Sequence, residues 1–448
     1  MKDFATSDDP AVQAQLERLA RLSLPQGRLG LDTIRAMLAR LGNPQQLLPP
    51  TFHVAGTNGK GSTCTFLRFM MEEQGLTVHS ATKPHLVRYN ERIRVAGKLI
   101  DDGLLADLLG EVLDKCEDLH PSFFEVTTAA MFLAFAHIEA DACVIEVGLG
   151  GRFDATNVLE HPAACGIASL GIDHEAFLLR EDPAAPDHPL ARIAFEKANI
   201  ARRGSPLVTQ AYPPEATAQI LKIAKQAGAR VAMRGQEWVA HAGDVLEYRD
   251  AAGSLTLPLP ALPGLHQADN AALAIAMLRH QREVAVASDA MARGLLAAHW
   301  PARMQTLAPG PLTAIVPGTE VILDGGHNPD AAGVIATAMA GKPVLNVVMG
   351  MLANRQVEDF LKPLAPLITR LWAIPIEGNE SHSPEHICAV ANKLGIPLVR
   401  PATDIRKALE DISATLAHEH DDRHQTVLIT GALRLAGKIL ALNGEIPD

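Results

Sequence analysis

Lys60 stands between Gly59 and Gly61, with Ser62 next, inside the run VAGTNGKGSTCTFL from Val54 to Leu67. A lysine in a glycine-rich turn between an apolar strand and a helix is suited to phosphate. Gly56, Gly59 and Gly61 let backbone N–H groups converge on phosphate oxygens, and Thr57 and Asn58 complete the turn. Lys60 can reach the terminal phosphates, Ser62 can ligate Mg²⁺, and the helix N-terminus adds its positive end. The fit to G-x-x-x-x-G-K-[ST] is imperfect, because Val54 holds the first glycine position and Gly61 separates Lys60 from Ser62. The bland alternative is a strand-to-helix connection with no ligand.

The elements that must position this loop alternate along the chain. TFHVAG, LTVHSA, ACVIEVG, GIASLG and SPLVTQ are short apolar runs separated by helical patterns, the first of these helices running from about Ser62 to Gly75. Strands apolar on both faces, separated by helices, predict a mainly parallel sheet covered on both sides. Trp238 to Pro260 alternates instead and turns at Gly253, which suits a small antiparallel addition. A helix is expected from about Gln267. The Pro- and Asp-rich LLREDPAAPDHPLAR reads as an exposed loop. The pattern restarts near Trp300 with EVILDGG, PVLNVVMG, RLWAIPI and TVLITGA. The expected fold is therefore α/β: a mainly parallel-sheet P-loop ATPase domain over 1–300, then a smaller Rossmann-like α/β domain over 301–448.

Composition narrows the partners. At 448 residues and about 150 per domain, two domains are expected. The formal charge of −11 disfavours long nucleic acids and anionic membranes, so an anionic small molecule needs a local basic site. The five cysteines show no paired spacing, and the start MKDFATSDDP lacks a signal pattern. No run approaches the ~18 apolar residues that span a bilayer. A cytoplasmic protein, expected to be monomeric, with neither nucleic acid nor membrane as partner, is the reading.

GTNGKGS resembles the ATP loop of the Mur ligase superfamily, specifically of the folylpolyglutamate and dihydrofolate synthases. The likeness continues through HLVRYNERIRV, FFEVTTAA, IEVGLGGRFDATNV, GIDHEAFL, IAFEKA, LDGGHNPDAA and GML, in family order over almost the whole chain. The resemblance implies an ATP-dependent amide ligase in folate biosynthesis. Such an enzyme joins L-glutamate to dihydropteroate, to folyl polyglutamates, or to both, through an acyl phosphate. SFFE and RFDATN resemble the bacterial enzymes that perform both steps.

It also implies residue roles. Glu146, at the end of ACVIEVG where open α/β sheets bind ligands, becomes a Mg²⁺ ligand; the bland alternative is a helix cap or an ion pair to Arg152. His174 in GIDH is assigned to a second Mg²⁺, with Asp173 as its orienting partner, against the commoner fate of a hydrogen-bonded structural histidine. Lys197 in FEKAN corresponds to the lysine that CO₂ carbamylates, against a solvated helix face. Asn199 replaces the usual glycine after Lys-Ala.

Asn270, Arg303 and Asp324 match ATP-holding positions, against a helix N-cap, a surface ion pair and a strand-end turn; His327 is a weaker candidate beside Asp324. For the pterin the resemblance points to Arg28, Leu29, Gly30 and Leu31, to Ser122, Phe123, Phe124 and Glu125, and to Phe153, Asp154 and Ala155. Phe124 could stack on the ring, or be core. Glu125 or Asp154 could take its amino and ring N–H groups.

Three departures stand out. Lys83 replaces a serine that in the family gives an oxygen to Mg²⁺, which an ammonium cannot do. Asn354-Arg355 replaces an acidic-basic pair, and TGALRL a Gly-Ser-Leu-Tyr run. They keep two alternatives open: another Mur-type acid–amino-acid ligase, or a nucleotide-binding regulatory protein without catalysis.

Overall fold

A computed structural model describes residues 6–22, 30–172, 182–378, 380–419 and 424–447. The chain divides into two compact units, one of Met1–Ala261 with Gln267–His299, the other of Leu262–His266 with Trp300–Pro447.

The larger unit is built on β1 (Thr51–Ala55), β2 (Val78–Ala81), β3 (Ile93–Val95), β4 (Lys98–Leu99), β5 (Ala142–Glu146), β6 (Ala164–Ile167), β7 (Pro206–Thr209) and β8 (Arg230–Met233). They form one sheet in the order β4-β3-β2-β5-β1-β6-β7-β8. The pairings from β2 through β8 are parallel, whereas β3 runs antiparallel to both β2 and β4. Every residue of β1, β5, β6 and β7 is buried, as expected where helices cover both faces of a sheet. On one face Leu109, Val112, Phe132 and Phe135 of two helices pack against Cys143 and Ile145 of β5. Farther along the same face, past β1, Ala194, Ala198, Ile220 and Ala224 close over Cys165, Ile167 and Leu207.

The segment from Trp238 forms the antiparallel addition: β9 (Trp238–Ala242), β10 (Leu246–Asp250) and β11 (Gly253–Leu257), in the order β11-β10-β9. The helix expected from Gln267 begins at Leu265 and runs to His280. Part of the segment read as an exposed loop is helical. Pro189 occupies the first turn of a helix that runs to Ala198, its missing N–H costing nothing there, and His188 caps it.

The smaller unit holds β12 (Gln305–Thr306), β13 (Glu320–Leu323), β14 (Val344–Met349), β15 (Arg370–Ala373), β16 (Leu398–Pro401) and β17 (Gln425–Thr430), in the order β12-β13-β17-β14-β15-β16. All pairs are parallel except β12 with β13. Its core gathers Ile335, Val347, Phe360, Leu371, Ile387 and Leu428. No helix among the described residues is long and apolar enough to cross a membrane.

Candidate active site

The sheet order decides where a ligand can sit. Strand β1 lies between β5 and β6, so the chain leaves β1 toward β2 on one side and crosses to β6 on the other. Such a reversal opens a crevice beyond the carboxyl ends of the strands, where open α/β sheets bind their ligands. The Gly56–Gly59 turn leaves β1 at this edge, and the helix Lys60–Glu73 begins directly after it.

Gly59 takes a left-handed conformation, with φ 83°. A Cβ there would also stand 2.3 Å from Asn270 Oδ1, so the side chain of a distant helix closes over the turn and only glycine fits beneath it. Asn270 therefore lies inside its helix against the loop, and the N-cap reading of it is set aside. Thr57 fastens the turn to the chain beyond β6. Its N–H donates to the Ser169 carbonyl at 2.7 Å, its hydroxyl donates to the Gly171 carbonyl at 2.9 Å, and Ser169 Oγ donates to the Asn58 carbonyl at 3.0 Å. The first N–H groups of a helix have no partner within it and face the incoming turn, which makes this an anion-binding end.

Three charged groups meet there. Lys60 Nζ donates to the carbonyls of Gly56 and Thr57, each at 3.1 Å, and lies 3.9 Å from Glu146 Oε1. Lys197 Nζ donates to the same Gly56 carbonyl at 2.9 Å. Lys197 is only 4% exposed, so the solvated-face reading is corrected: the last turn of the Pro189–Ala198 helix buries it. That approach depends on Gly151, where a Cβ would stand 2.8 Å from the Glu196 carbonyl oxygen and 3.1 Å from Lys197 Cα. Asn199 caps the helix at φ −67°, a conformation that needs no glycine.

Glu146, 3% exposed at the end of β5, accepts the Lys83 backbone N–H on Oε2 at 3.0 Å. Arg152 is engaged elsewhere, with Asp182 at 2.8 Å and Glu196 at 3.4 Å, which removes the reading of Arg152 as the partner of Glu146. Burial pushes the Glu196 carboxyl up despite that arginine. Among the described residues no three His, Cys, Asp or Glu side chains gather to hold a metal unaided. A buried carboxylate, Glu146, and the hydroxyl of buried Ser62 in the first turn of the helix after the loop are donors that suit a hard cation completing its shell with phosphate and water. His174, Asp173, Arg28 and Leu29 lie outside the described residues.

The candidate pterin residues are more occupied. Ser122 caps the helix Phe123–His137, and Glu125 Oε2 accepts from both Ser122 N–H and Ser122 Oγ, at 2.8 and 2.7 Å. Phe123 packs edge-on against Tyr89 and Phe124, with ring centroids 6.0 and 5.5 Å apart. Phe124 is 40% exposed, so the core alternative does not hold for it. The Arg152 guanidinium lies 4.4 Å over the Phe153 ring. Buried Asp154 accepts the N–H groups of Gly148 and Leu149 on Oδ2, and the N–H and hydroxyl of Thr156 on Oδ1. Gly30 is exposed, and half-buried Leu31 and Ala155 pack on the core.

In the smaller unit, Asp324 accepts the N–H groups of Met304 at 2.9 Å and Gly326 at 2.7 Å. Burial raises its carboxyl above the ordinary range, opposed by the Arg303 charge and by those two donors. Half-buried Arg303 sits between Ala302 and Met304, both at positive φ, so this short segment wraps the carboxylate. His327 Nδ1 lies 3.0 Å from the Gly325 carbonyl oxygen. Residue spacing alone does not point to Gly151, Thr156 or His53. The two adjacent glycines of GLGGRFD were the available sign of a close backbone approach.

Comparison with known proteins agrees with this architecture. The Mur ligase, glutamate ligase domain matches residues 303–433. The chain is 34% identical over 354 residues to the dihydrofolate synthase/folylpolyglutamate synthase of Bacillus subtilis, covering 75% of this chain and 78% of that one. Its likeness to the Escherichia coli protein of the same name is 31% over 418 residues, covering 92% and 90%. Escherichia coli FolC in complex with DHPP and ADP superposes with a TM-score of 0.82 at 28% identity, over 97% of this chain and 98% of that one. The Yersinia pestis bifunctional enzyme with AMPPNP and a Mn ion gives 0.81 at 27%, over 98% and 99%. A phosphate loop on a mainly parallel sheet, followed by a Mur-type glutamate ligase domain, defines an ATP-dependent ligase of the Mur type. Within that class, the chain belongs to the folylpolyglutamate and dihydrofolate synthase family.

Proposed function

We propose that this chain joins L-glutamate to dihydropteroate and to folyl glutamates, with ATP converted to ADP and phosphate. The observation that carries the reading is the meeting of Lys60 and Lys197 on one carbonyl of the glycine turn, with Glu146 beside Lys60, at the crevice edge of the sheet.

A carboxylate is a poor electrophile, so it must be activated before an amine can displace its oxygen. The carboxylate oxygen attacks the γ-phosphorus, the bond from that phosphorus to the β-bridging oxygen breaks, and an acyl phosphate forms. The glutamate α-amine then adds to the acyl carbon, loses a proton, and expels phosphate from the tetrahedral intermediate. Phosphoryl transfer of this kind is catalysed chiefly by position and by fixed positive charge. Lys60 supplies such charge at the terminal phosphates, while the turn's N–H groups and the helix end hold the remaining oxygens. Glu146 and Ser62 would hold Mg²⁺, which supplies charge neutralisation when bound; His174 is proposed for a second ion.

Lys197 would serve as a carbamate: its ammonium gives up one proton, the freed nitrogen lone pair bonds the carbon of CO₂ as a C=O pair moves onto oxygen, and a second proton leaves, giving an anionic oxygen ligand from a buried position. Asn270 would hold the nucleotide over Gly59, with Arg303 and Asp324 as further nucleotide contacts. Phe124 offers a ring face for the pterin; Ser122, Phe123 and Glu125 frame it, with Phe153, Asp154 and Ala155 as further contacts, and Arg28 through Leu31 are proposed for the same ligand from the resemblance alone. We place the protein in the cytoplasm, as a monomer. The test is ADP release by the purified chain, expected only when dihydropteroate and glutamate are both present, and separately with a folyl glutamate plus glutamate. ATP turnover indifferent to both acceptors would defeat the reading.

A further inference from the structure

Lys83 follows β2 and makes two connections of different kinds. Its backbone N–H donates to Glu146 Oε2 at 3.0 Å, at the end of the neighbouring strand β5. Its half-buried side chain runs toward the loop that follows β5. A Cβ on Gly148 would stand 3.1 Å from Asp154 Oδ2 and 3.4 Å from Lys83 Nζ, so the carboxylate and the ammonium crowd the same small space above that glycine. Asp154 in turn gathers the N–H groups of Gly148, Leu149 and Thr156, and Thr156 Oγ1 lies 2.9 Å from His53 Nε2 in β1. Burial raises the Asp154 carboxyl, yet the Lys83 charge and these hydrogen bonds outweigh it and hold the group below its ordinary value.

We propose that Lys83 is a positioning residue whose ammonium, set against Asp154, fixes the Phe153–Ala155 loop that receives the pterin, while its backbone N–H independently aligns Glu146. This rests on the folate-ligase reading above. A buried carboxylate that loses a nearby cation is held less firmly, and it draws in water or shifts its loop. Removing the Lys83 charge therefore disturbs the pterin side first, because the N–H that holds Glu146 survives any substitution other than proline.

The test is a cycle of Lys83→Met, Asp154→Asn and the double variant in the full chain, read in three ways: steady-state kinetics, calorimetric binding of dihydropteroate with ADP and Mg²⁺ present, and urea unfolding without ligands. Lys83→Met is expected to raise the KM for dihydropteroate about tenfold and weaken its binding by the same factor. The KM for ATP should move less than about twofold, since the backbone N–H that holds Glu146 is kept in the variant. The double variant should lose less than the sum of the two single losses and unfold at higher urea than Lys83→Met alone, because no buried carboxylate is then left without its nearby cation. A wild-type-like KM and affinity in Lys83→Met, or losses that simply add in the double variant, would overturn the inference while leaving the ligase reading intact. Wild-type protein that neither binds dihydropteroate nor releases ADP would sink the ligase reading and this role with it.

Discussion

The glycine turn proposed for the nucleotide and the segments proposed for the pterin, both in the larger unit, hold their charges in opposite ways. Lys60 and Lys197 rest on backbone carbonyls, which carry no net charge, with the nearest carboxylate to Lys60 at 3.9 Å. An arriving phosphate can replace those carbonyls at small cost and gain a charge-assisted bond. Glu125 and Asp154 are already embraced, the first by Ser122 through its N–H and hydroxyl, the second by three backbone N–H groups and the Thr156 hydroxyl. Their donors hold local structure together, so in the proposed pterin site these two carboxylates would shape the surroundings before touching a ligand. One region keeps its chemistry available; the other spends its acids on architecture and offers a ring, Phe124.

The sharpest way to break that contrast is Lys60→Ala. If the loop lysine serves phosphate alone, turnover should fall about 10²-fold or more, while the midpoint of thermal unfolding barely moves. A variant that unfolds readily would show that the carbonyl contacts are structural, as on the pterin side. Lys197→Ala is expected to lose somewhat less, because short carboxylates added to the assay can enter the space and restore part of the activity. Absence of any such rescue, in a variant that melts like wild type, would count against an anionic role at that position.

How much of this could be seen in the residues alone follows the same division. The strand, tight turn and helix start around Lys60 were legible because glycine and lysine carry their meaning locally, within one short run. The parallel sheet was legible too, from strands such as ACVIE that are apolar on both faces. Asn270 over Gly59, Lys197 under Gly56 and Glu196 against Gly151 were not, since each joins segments far apart in the chain, and spacing carries no sign of which way a helix turns its side chains. The roles of Ser122 and Glu125 were half legible. Ser-x-x-Glu at a helix start is a capping box by its spacing, and the pterin role came from resemblance.

A third prediction concerns stability rather than turnover. His53 is fully buried in β1, and burial, aided by the Arg202 and Lys83 charges and opposed by Asp154, lowers its pKa from 6.5 to about 3. Between those values the unfolded chain binds a proton that the folded chain refuses, so stability attributable to this group is intact above pH 6.5 and falls as the pH drops toward 3. His53→Gln should show a flatter dependence in urea unfolding at pH 7 and pH 5. Equal slopes in the two proteins would mean that His53 takes up its proton in the folded state, and that the pterin-side network is more open to water than its burial suggests.

The smallest expected effect bears most directly on the contrast. Ser122→Ala removes the hydroxyl that accepts the Glu125 N–H and donates to Glu125 Oε2, and leaves the Ser122 N–H in place. An N-cap loss of this kind costs about 1 kcal/mol, because one helix-end N–H loses its partner. Glu125 keeps one donor, and Phe124 stays at the first turn of the same helix, so the dihydropteroate KM should change by less than about twofold at 25 °C. If the KM instead rises tenfold while the unfolding midpoint holds, Ser122 touches the pterin itself. The pterin side would then keep its polar groups available in the manner of the phosphate loop, and the opposition between the two regions would reduce to one of residue type.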